Sequence, residues 1–340
     1  MALVQKPLRD QTIVITGATS GIGLATARMA ANRGARLVLA SRNGEALAEV
    51  AREIAAAGGS AETVVADVAS EADVARIVAT ALARFGTFDT FVNNAGTAVY
   101  SNLTELPLDE HRRIFETNYW GTVHGSLAAV KLFREREGGG TLINVGSVNS
   151  DFAIPYLSAY AASKHAVKGF TDALRLELLH DRAPVQVTLI KPSGIATPFP
   201  KHARSRIGAE PRVVPPLYAP ELVADAILHA ATYPVRDITV GGAGRAIAVA
   251  TALAPNVMDR VLAAGVPPLS EKPRPPSPGD DLDTADKDGD VHEPGSRGIP
   301  FSPYTTLQKY PPSALALSAL GIGILAARHL LGGRGRAGRG

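Results

Sequence analysis

The chain has no cysteine, one tryptophan and three methionines in 340 residues, and aromatic residues make up only 5% of it. Without cysteine there are no disulfides, no thiolate catalysis, no iron–sulfur ligation and no cysteine-based zinc site, so any chemistry must come from oxygen, nitrogen or a bound cofactor. An excess of one charge is missing too. The 35 basic and 32 acidic residues leave a net +3, a weak electrostatic footprint that argues against a nucleic-acid partner. The first seventeen residues carry Lys6 and Arg9 but no apolar run of signal-peptide length; no secretory signal is read and the cytoplasm is the expected location. Apolar residues are plentiful at 46%, enough for a sizeable core.

From Thr12 to about Ala264 short β-branched runs alternate with longer alanine-rich stretches. This is the pattern of a parallel sheet covered by helices, and it predicts an α/β fold with one doubly wound, Rossmann-like, seven-stranded sheet. The expected strands are 12–16, 35–40, 62–66, 88–93, 140–145, 185–191 and 237–241. Between them, Val74, Ile77, Val78 and Leu82, or Val167, Phe170, Leu174 and Leu178, fall at helical spacing and would put one face of each helix on the sheet. Residues 1–264 are thus expected to form one catalytic domain.

The composition changes after Val266, where a proline-rich stretch carries Asp280, Asp281, Asp283, Asp286, Asp288, Asp290 and Glu293. Residues 265–312 are expected to be a disordered linker, because so little of that stretch can be buried. The Asp286-Lys-Asp288-Gly-Asp290 run lacks glycine at the sixth and glutamate at the twelfth position of a calcium loop, where Val291 and Arg297 stand; no metal site is expected.

In the hydrophobic segment 313–331, residues 313–327 are all apolar or small and are followed by Arg328 and His329, and the tail over 332–340 carries Arg334, Arg336 and Arg339 with no acid. As a helix this segment spans about 28 Å, against about 30 Å of bilayer hydrocarbon, and a crossing would carry the arginines through. A helix seated at the membrane interface, its arginines on anionic headgroups, fits both constraints; the alternative is a helix folded back on the body or on a second subunit.

Chemistry-bearing residues begin with Thr16-Gly17-Ala18-Thr19-Ser20-Gly21-Ile22-Gly23, between the first strand and an alanine-rich helix. Gly17 permits a tight turn, Gly21 lets the backbone approach phosphates, Gly23 allows close helix–strand packing, and the helix N-terminus offers unpaired N–H groups to a pyrophosphate. At the end of the second strand an acid would take the ribose hydroxyls of NAD. Ser41 and Arg42 stand there instead, which favours NADP(H). Tyr160 and Lys164 are four apart, on one helix face, where a cation could bring a phenol into range to exchange a proton with a carbonyl or alcohol oxygen.

Together with Asn93-Asn94-Ala95-Gly96, Asn118 in Thr-Asn-Tyr-Trp-Gly, and Ser147 thirteen residues before Tyr160, these motifs make the sequence resemble a short-chain dehydrogenase/reductase of the NADP-preferring kind over about 250 residues. The resemblance implies Tyr160 as general acid/base, Ser147 as hydrogen-bond partner of the substrate oxygen, Lys164 on the nicotinamide ribose and lowering the tyrosine pKa, and Asn118 supporting a water-linked proton path. It places Asp67 and Val68 at the adenine, Asn94, Ala95 and Gly96 along the adenosine and phosphates, and Pro192, Ile195 and Thr197 at the nicotinamide. Ser193 departs from the pattern, because the family commonly has glycine directly after that proline. A homodimer or homotetramer, paired through the helices carrying Asn118 and Tyr160, is implied as well.

Residues 198–218, with Phe199, Lys201, His202, Arg204, Arg206 and Arg212, are expected to form a substrate lid. They read either as a recognition surface for an acidic substrate or as a solvated basic loop. Phe152 and Tyr156 are expected to line the pocket or to pack. The function expected is interconversion of a carbonyl and an alcohol on a hydrophobic substrate, by tyrosine acid/base chemistry and hydride transfer; the alternative is a nucleotide-binding sensor or scaffold without turnover.

Overall fold

The computed structural model describes residues 3–276, 279–285 and 289–310. The seven apolar runs become β1 (Thr12–Thr16), β2 (Arg36–Ser41), β3 (Ser60–Val65), β4 (Thr90–Asn93), β5 (Gly140–Val145), β6 (Val185–Pro192) and β7 (Asp237–Val240). They make one parallel sheet in the order β7-β6-β5-β4-β1-β2-β3, a Rossmann-like arrangement. Every residue of β1 and β5 is buried, as expected of strands covered on both faces. The fourth strand starts two residues later than predicted. Phe88 instead packs edge-on against Phe91 and Phe133, with ring centres 5.8 and 5.3 Å apart.

Helices α1 (Gly21–Asn32), α2 (Gly44–Ala56), α3 (Glu71–Phe85), α4 (Leu108–Phe115), α5 (Gly121–Glu135), α6 (Ser158–His180), α7 (Phe199–His202), α8 (Pro220–Thr232), α9 (Gly242–Leu253) and α10 (Pro255–Gly265) follow in chain order. Successive residues of β1 serve opposite faces. Ile13 and Ile15 join Leu24 of α1 and Ile227 of α8, while Val14 joins Ile77 of α3, Phe133 of α5 and Leu174 of α6. Local chemistry fixes the helix ends: the Asn43 side chain accepts from the Ala46 N–H at 3.0 Å, Ser70 from Asp73 at 3.2 Å, and Gly86 ends α3 at φ +74°. Strand order reverses between β1 and β4, and the crevice at their carboxyl ends is where such sheets bind ligands.

The stretch expected to be an unstructured linker is ordered over its described part. After α11 (Pro267–Ser270), Glu271–Lys272 pairs antiparallel with Glu210–Pro211, and α12 (Pro303–Lys309) packs against β7. Its charges meet partners on the body: Asp280 and Asp283 bond Arg204, and Glu293 is 2.6 Å from Lys272. Leu282 and Val291 supply apolar anchors, 1% and 9% exposed. Composition records how few apolar residues a segment has but not the complementary charge on the surface it crosses. Asp286 and Asp288, the apolar segment 313–331 and the arginine tail 332–340 lie outside the described residues. Among the described residues no helix is long and apolar enough to cross a membrane.

Candidate functional site

The loops after β1 and β4 are laced together. Thr16 Oγ1 accepts the N–H groups of Asn94 and Ala95 at 3.0 and 3.2 Å, and Asn94 Nδ2 donates to the carbonyls of Thr16 and Gly17 at 3.0 and 3.1 Å. Only glycine fits between them. Gly17 sits at φ +64°, and a Cβ there would lie 2.9 Å from Ala95 Cα; one on Gly23 would lie 1.9 Å from the Gly17 carbonyl oxygen. Ser20 precedes α1 without capping it, so its hydroxyl is left for the cleft, whose floor it forms with Thr19, Gly21 and Ile22.

This cleft encloses about 170 Å³, bordered by Ser41 and Arg42 at one end and by Asp67, Val68, Asn94, Ala95, Gly96 and Thr197 along its length. The donor set suits a dinucleotide: a helix N-terminus at the turn for the pyrophosphate, and hydroxyls with a guanidinium at the ribose end. Ser41 Oγ lies 2.9 Å from Thr19 Oγ1. Asp67 remains ionised, because although burial would raise its pKa, hydrogen bonds from the Ala69 N–H and from Arg113, at 3.0 and 2.6 Å, hold it below the usual carboxylate range. Arg113, on α4, had no signal in the sequence beyond its charge.

At the far end the cleft opens into a second cavity of about 220 Å³ that contains Ser147, Tyr160 and Lys164 together with Gly96, Pro192, Ile195 and Thr197. Ser147 caps the short turn Val148–Ser150 by accepting the Asn149 N–H at 3.1 Å, and it lines the same cavity as the Tyr160 phenol. Burial raises the Tyr160 pKa above the ordinary tyrosine value, with the Ser147 hydroxyl pulling the other way. Lys164 is pushed down to about 8 by burial, donates to the Val145 carbonyl at 2.9 Å, and sits 5.7 Å from the centre of the Tyr160 ring. In this geometry the ammonium is directed at the Val145 carbonyl, beside the Tyr160 ring.

Of the catalytic and cofactor-binding residues expected from the sequence, Gly23 and Asn118 line neither cavity. Asn118 lies in a π-helical turn, Glu116–Trp120, between α4 and α5. Its Oδ1 accepts the Thr97 N–H at 2.8 Å, and its Nδ2 donates to the Thr97 carbonyl and to Ser163 Oγ at 2.9 and 3.0 Å. It pins the loop after β4 to α6 at Ser163, which lies between Tyr160 and Lys164.

The substrate side is apolar. Val148, Phe152, Ile154, Leu157, Phe199 and Val213 line it, as do Ile247 of α9, Leu262 of α10 and Val266 just after α10. The contribution of α9 and α10 was not legible in the sequence, nor was that of Tyr100, buried with Leu157, Tyr160 and Phe199. Tyr156 does not line the cavity. Arg204 and Arg206 do not either: both bond Glu110 at 2.6 Å, and Arg204 also holds Asp280 and Asp283 at 2.8 and 2.9 Å. The acidic-substrate reading of these arginines is thereby overturned. Arg212 does border the cavity, with its Nε donated to the Leu269 carbonyl at 2.8 Å. The departure at Ser193 has a local cause. Its hydroxyl donates to the Gly241 carbonyl at 2.9 Å, and the close approach falls one residue later, where a Cβ on Gly194 would meet the carbonyl oxygens of Val214 and Pro216 at 2.7 and 2.9 Å.

The family model for short chain dehydrogenases matches residues 11–208. The chain is 44% identical over 292 residues to "Uncharacterized oxidoreductase YxnA" of Bacillus subtilis, covering 86% of this chain and 82% of that one; a stretch of that share necessarily takes in Asp280–Asp283. A short chain dehydrogenase/reductase from Burkholderia phymatum in complex with NAD superposes with a TM-score of 0.69 at 26% identity, covering 74% of this chain and 96% of that one. An alcohol dehydrogenase from Thermococcus sibiricus complexed with 5-hydroxy-NADP does so at 0.59 and 25%, covering 67% and 95%. An oxidoreductase fold with a nicotinamide-dinucleotide cleft is what these likenesses and the geometry share, and the chain belongs to the short chain dehydrogenase family.

Proposed function

We propose that the protein is an NADP(H)-dependent oxidoreductase interconverting a carbonyl and an alcohol on a neutral, apolar substrate. The observation that carries this reading is the placement of Tyr160 and Ser147 together in the apolar cavity where it meets the dinucleotide cleft. Burial keeps the Tyr160 phenol protonated at neutral pH, so it can deliver a proton to a carbonyl oxygen, and the Ser147 hydroxyl is a second donor to the same oxygen. Lys164, at the back of the pair, would hold ribose hydroxyls, and Asn118 would keep the loop after β4 in register with α6. The nicotinamide, when bound, supplies the hydride. Ser41 and Arg42, with no carboxylate at the end of β2, support NADP(H) over NAD(H); the two solved relatives carry one of each kind. The apolar lining supports a ketone, aldehyde or alcohol without charge.

The outer faces of α5 and α6 expose Leu127, Leu176 and Leu179, each more than half accessible, which supports a homodimer or homotetramer paired there. On α10, Val257 and Val261 are exposed beside the cavity-lining Leu262. With the apolar run 313–331 they support membrane association, tested by flotation of the full chain against residues 1–312.

NADPH oxidation across ketones and aldehydes of increasing chain length, with Tyr160→Phe beside the wild type, tests the activity. A rate that collapses in the variant supports the reading. Tight NADPH binding without turnover above the variant on any compound favours a nucleotide-binding sensor instead.

A further inference from the structure

Arg42, which the cofactor reading assigns to the 2′-phosphate, is held by a segment 240 residues away. Its Nη1 donates to the carbonyls of Leu282 and Asp283 at 3.2 and 3.4 Å, and its Nη2 to the carbonyl of Asp281. These acceptors are main-chain oxygens, which orient a guanidinium without cancelling its charge. The acidic side chains of the same turn are engaged elsewhere: Asp280 and Asp283 on Arg204, and Asp281 on His202 at 2.6 Å. The turn is fixed from beneath by Leu282, buried among Val99, Leu106, Ile114 and Ala159. It is tied laterally by Arg113, whose Nε donates to the Leu282 carbonyl at 3.1 Å while its Nη2 holds Asp67 in the adenosine cleft.

We propose that the turn Asp280–Asp283 is part of the cofactor site and sets its preference for NADP(H), by presenting Arg42 in the orientation that receives a 2′-phosphate. A free arginine at the end of β2 would sample many rotamers and lose that freedom on binding phosphate. Arg42 has already lost it to three carbonyls, and the groups it does not share with them remain for the ligand. The same C-terminal segment braces the other phosphate position. The Gly289 N–H donates to the Thr19 carbonyl at 3.0 Å, and the Gly21 N–H to the Asp290 carbonyl at 2.9 Å, on either side of Ser20. A part of the chain beyond the sheet therefore holds both the receptor for the cofactor-specific phosphate and the pyrophosphate loop. This inference rests on the NADP(H) reading.

The test is fluorescence titration of NADPH and NADH into the full-length protein and into Leu282→Ser, which unseats the turn, and Arg204→Gln, which cuts the tether to Asp280 and Asp283 but leaves the apolar anchor and so the fold in place. The proposal expects each variant to raise the NADPH dissociation constant about tenfold more than the NADH constant. It also expects Leu282→Ser to add nothing in an Arg42→Ala background, where there is no guanidinium left to orient. Equal losses for both cofactors would reduce the turn to a structural element, and tighter NADPH binding would make it a competitor of the phosphate; either overturns the proposal with the NADP(H) reading intact. Wild-type protein that binds both cofactors equally would overturn the reading itself and the proposal with it.

Discussion

The Lys164 ammonium donates to the carbonyl of Val145 at 2.9 Å, tying the middle of α6 to the end of β5 directly under the Tyr160 ring. The lysine is 4% exposed, and burial has pushed its pKa down to about 8 from an ordinary 10.5. Such a group is kept at a cost to the fold. Between about pH 8 and 10.5 the unfolded chain binds more protons here than the folded one, so stability should rise with pH across that window and be at its most penalised below it.

Lys164→Met should therefore lose turnover by at least a hundredfold and yet be no less stable at pH 7. The relieved penalty is up to about 3 kcal/mol, offset in part by the Val145 carbonyl left without its donor. Urea unfolding at pH 7 and pH 10 checks this: the wild type gains on the variant as the pH rises. A variant markedly less stable at pH 7 would mean that the hydrogen bond outweighs the buried charge.

Two glycines near the site make opposite predictions. A Cβ on Gly194 would stand 2.7 Å from the Val214 carbonyl oxygen, whereas nothing lies within 4 Å of one on Gly169, in the interior of α6. Gly194→Ala should cost about 1–3 kcal/mol by forcing apart the 193–194 and 213–216 segments of the cavity wall, and should raise KM. Gly169→Ala should gain up to about 1 kcal/mol from helix propensity alone. Thermal unfolding of the pair, with KM for the first, checks both.

What could be read in advance followed from how local each signal was. Strands β1 to β7 were legible as short β-branched runs, most plainly in the fully buried β1 and β5, and the pyrophosphate loop because glycine is the only residue that fits at Gly17 and Gly23. Tyr160, Ser147 and Lys164 were legible as a spacing, but their protonation was not: the low pKa of Lys164 comes from burial against Val145, which no spacing encodes. Arg204 and Arg206 misled for the same reason. Their charge was visible, while Glu110, about 95 residues earlier, and Asp280, beyond the catalytic sheet, were not visible as their partners. The C-terminal segment was misjudged most, since its order depends almost wholly on contacts with distant residues.

Glu210 gives that segment an acid-sensitive anchor. Hydrogen bonds from Arg274, opposed by burial and helped by Lys272, bring its pKa down to about 2, and the ion pairs join residues 210–211 to 271–274. Because the folded-state pKa is depressed, the stabilisation is fully present above the unfolded value near 4.5 and is lost as the pH falls from there toward 2. Glu210→Gln should remove this acid-dependent component and, at neutral pH, loosen the wall formed with Arg212. Limited proteolysis of the 271–276 stretch, faster in the variant at pH 7, with the wild type speeding up toward the variant's rate as the pH falls below 4, is the expected result; equal rates throughout would show that the ion pairs do not hold it.

The cavity lining sets the last prediction. With Leu262 of α10, Val266 just after it and Ile247 of α9 in its wall, each methylene that a substrate places there is worth up to about 0.8 kcal/mol, or roughly a fourfold step in kcat/KM. A series of straight-chain ketones should climb by steps of this order and then level off once the cavity is filled. Leu262→Asn should flatten the series only for chains long enough to reach α10, leaving the shortest ketones unchanged because Tyr160 and Ser147, which handle their oxygen, lie at the inner end. A uniform loss across the series would place Leu262 in the packing of α10 rather than on the substrate, and a flat wild-type series would mean that the apolar wall does not contact the reacting molecule.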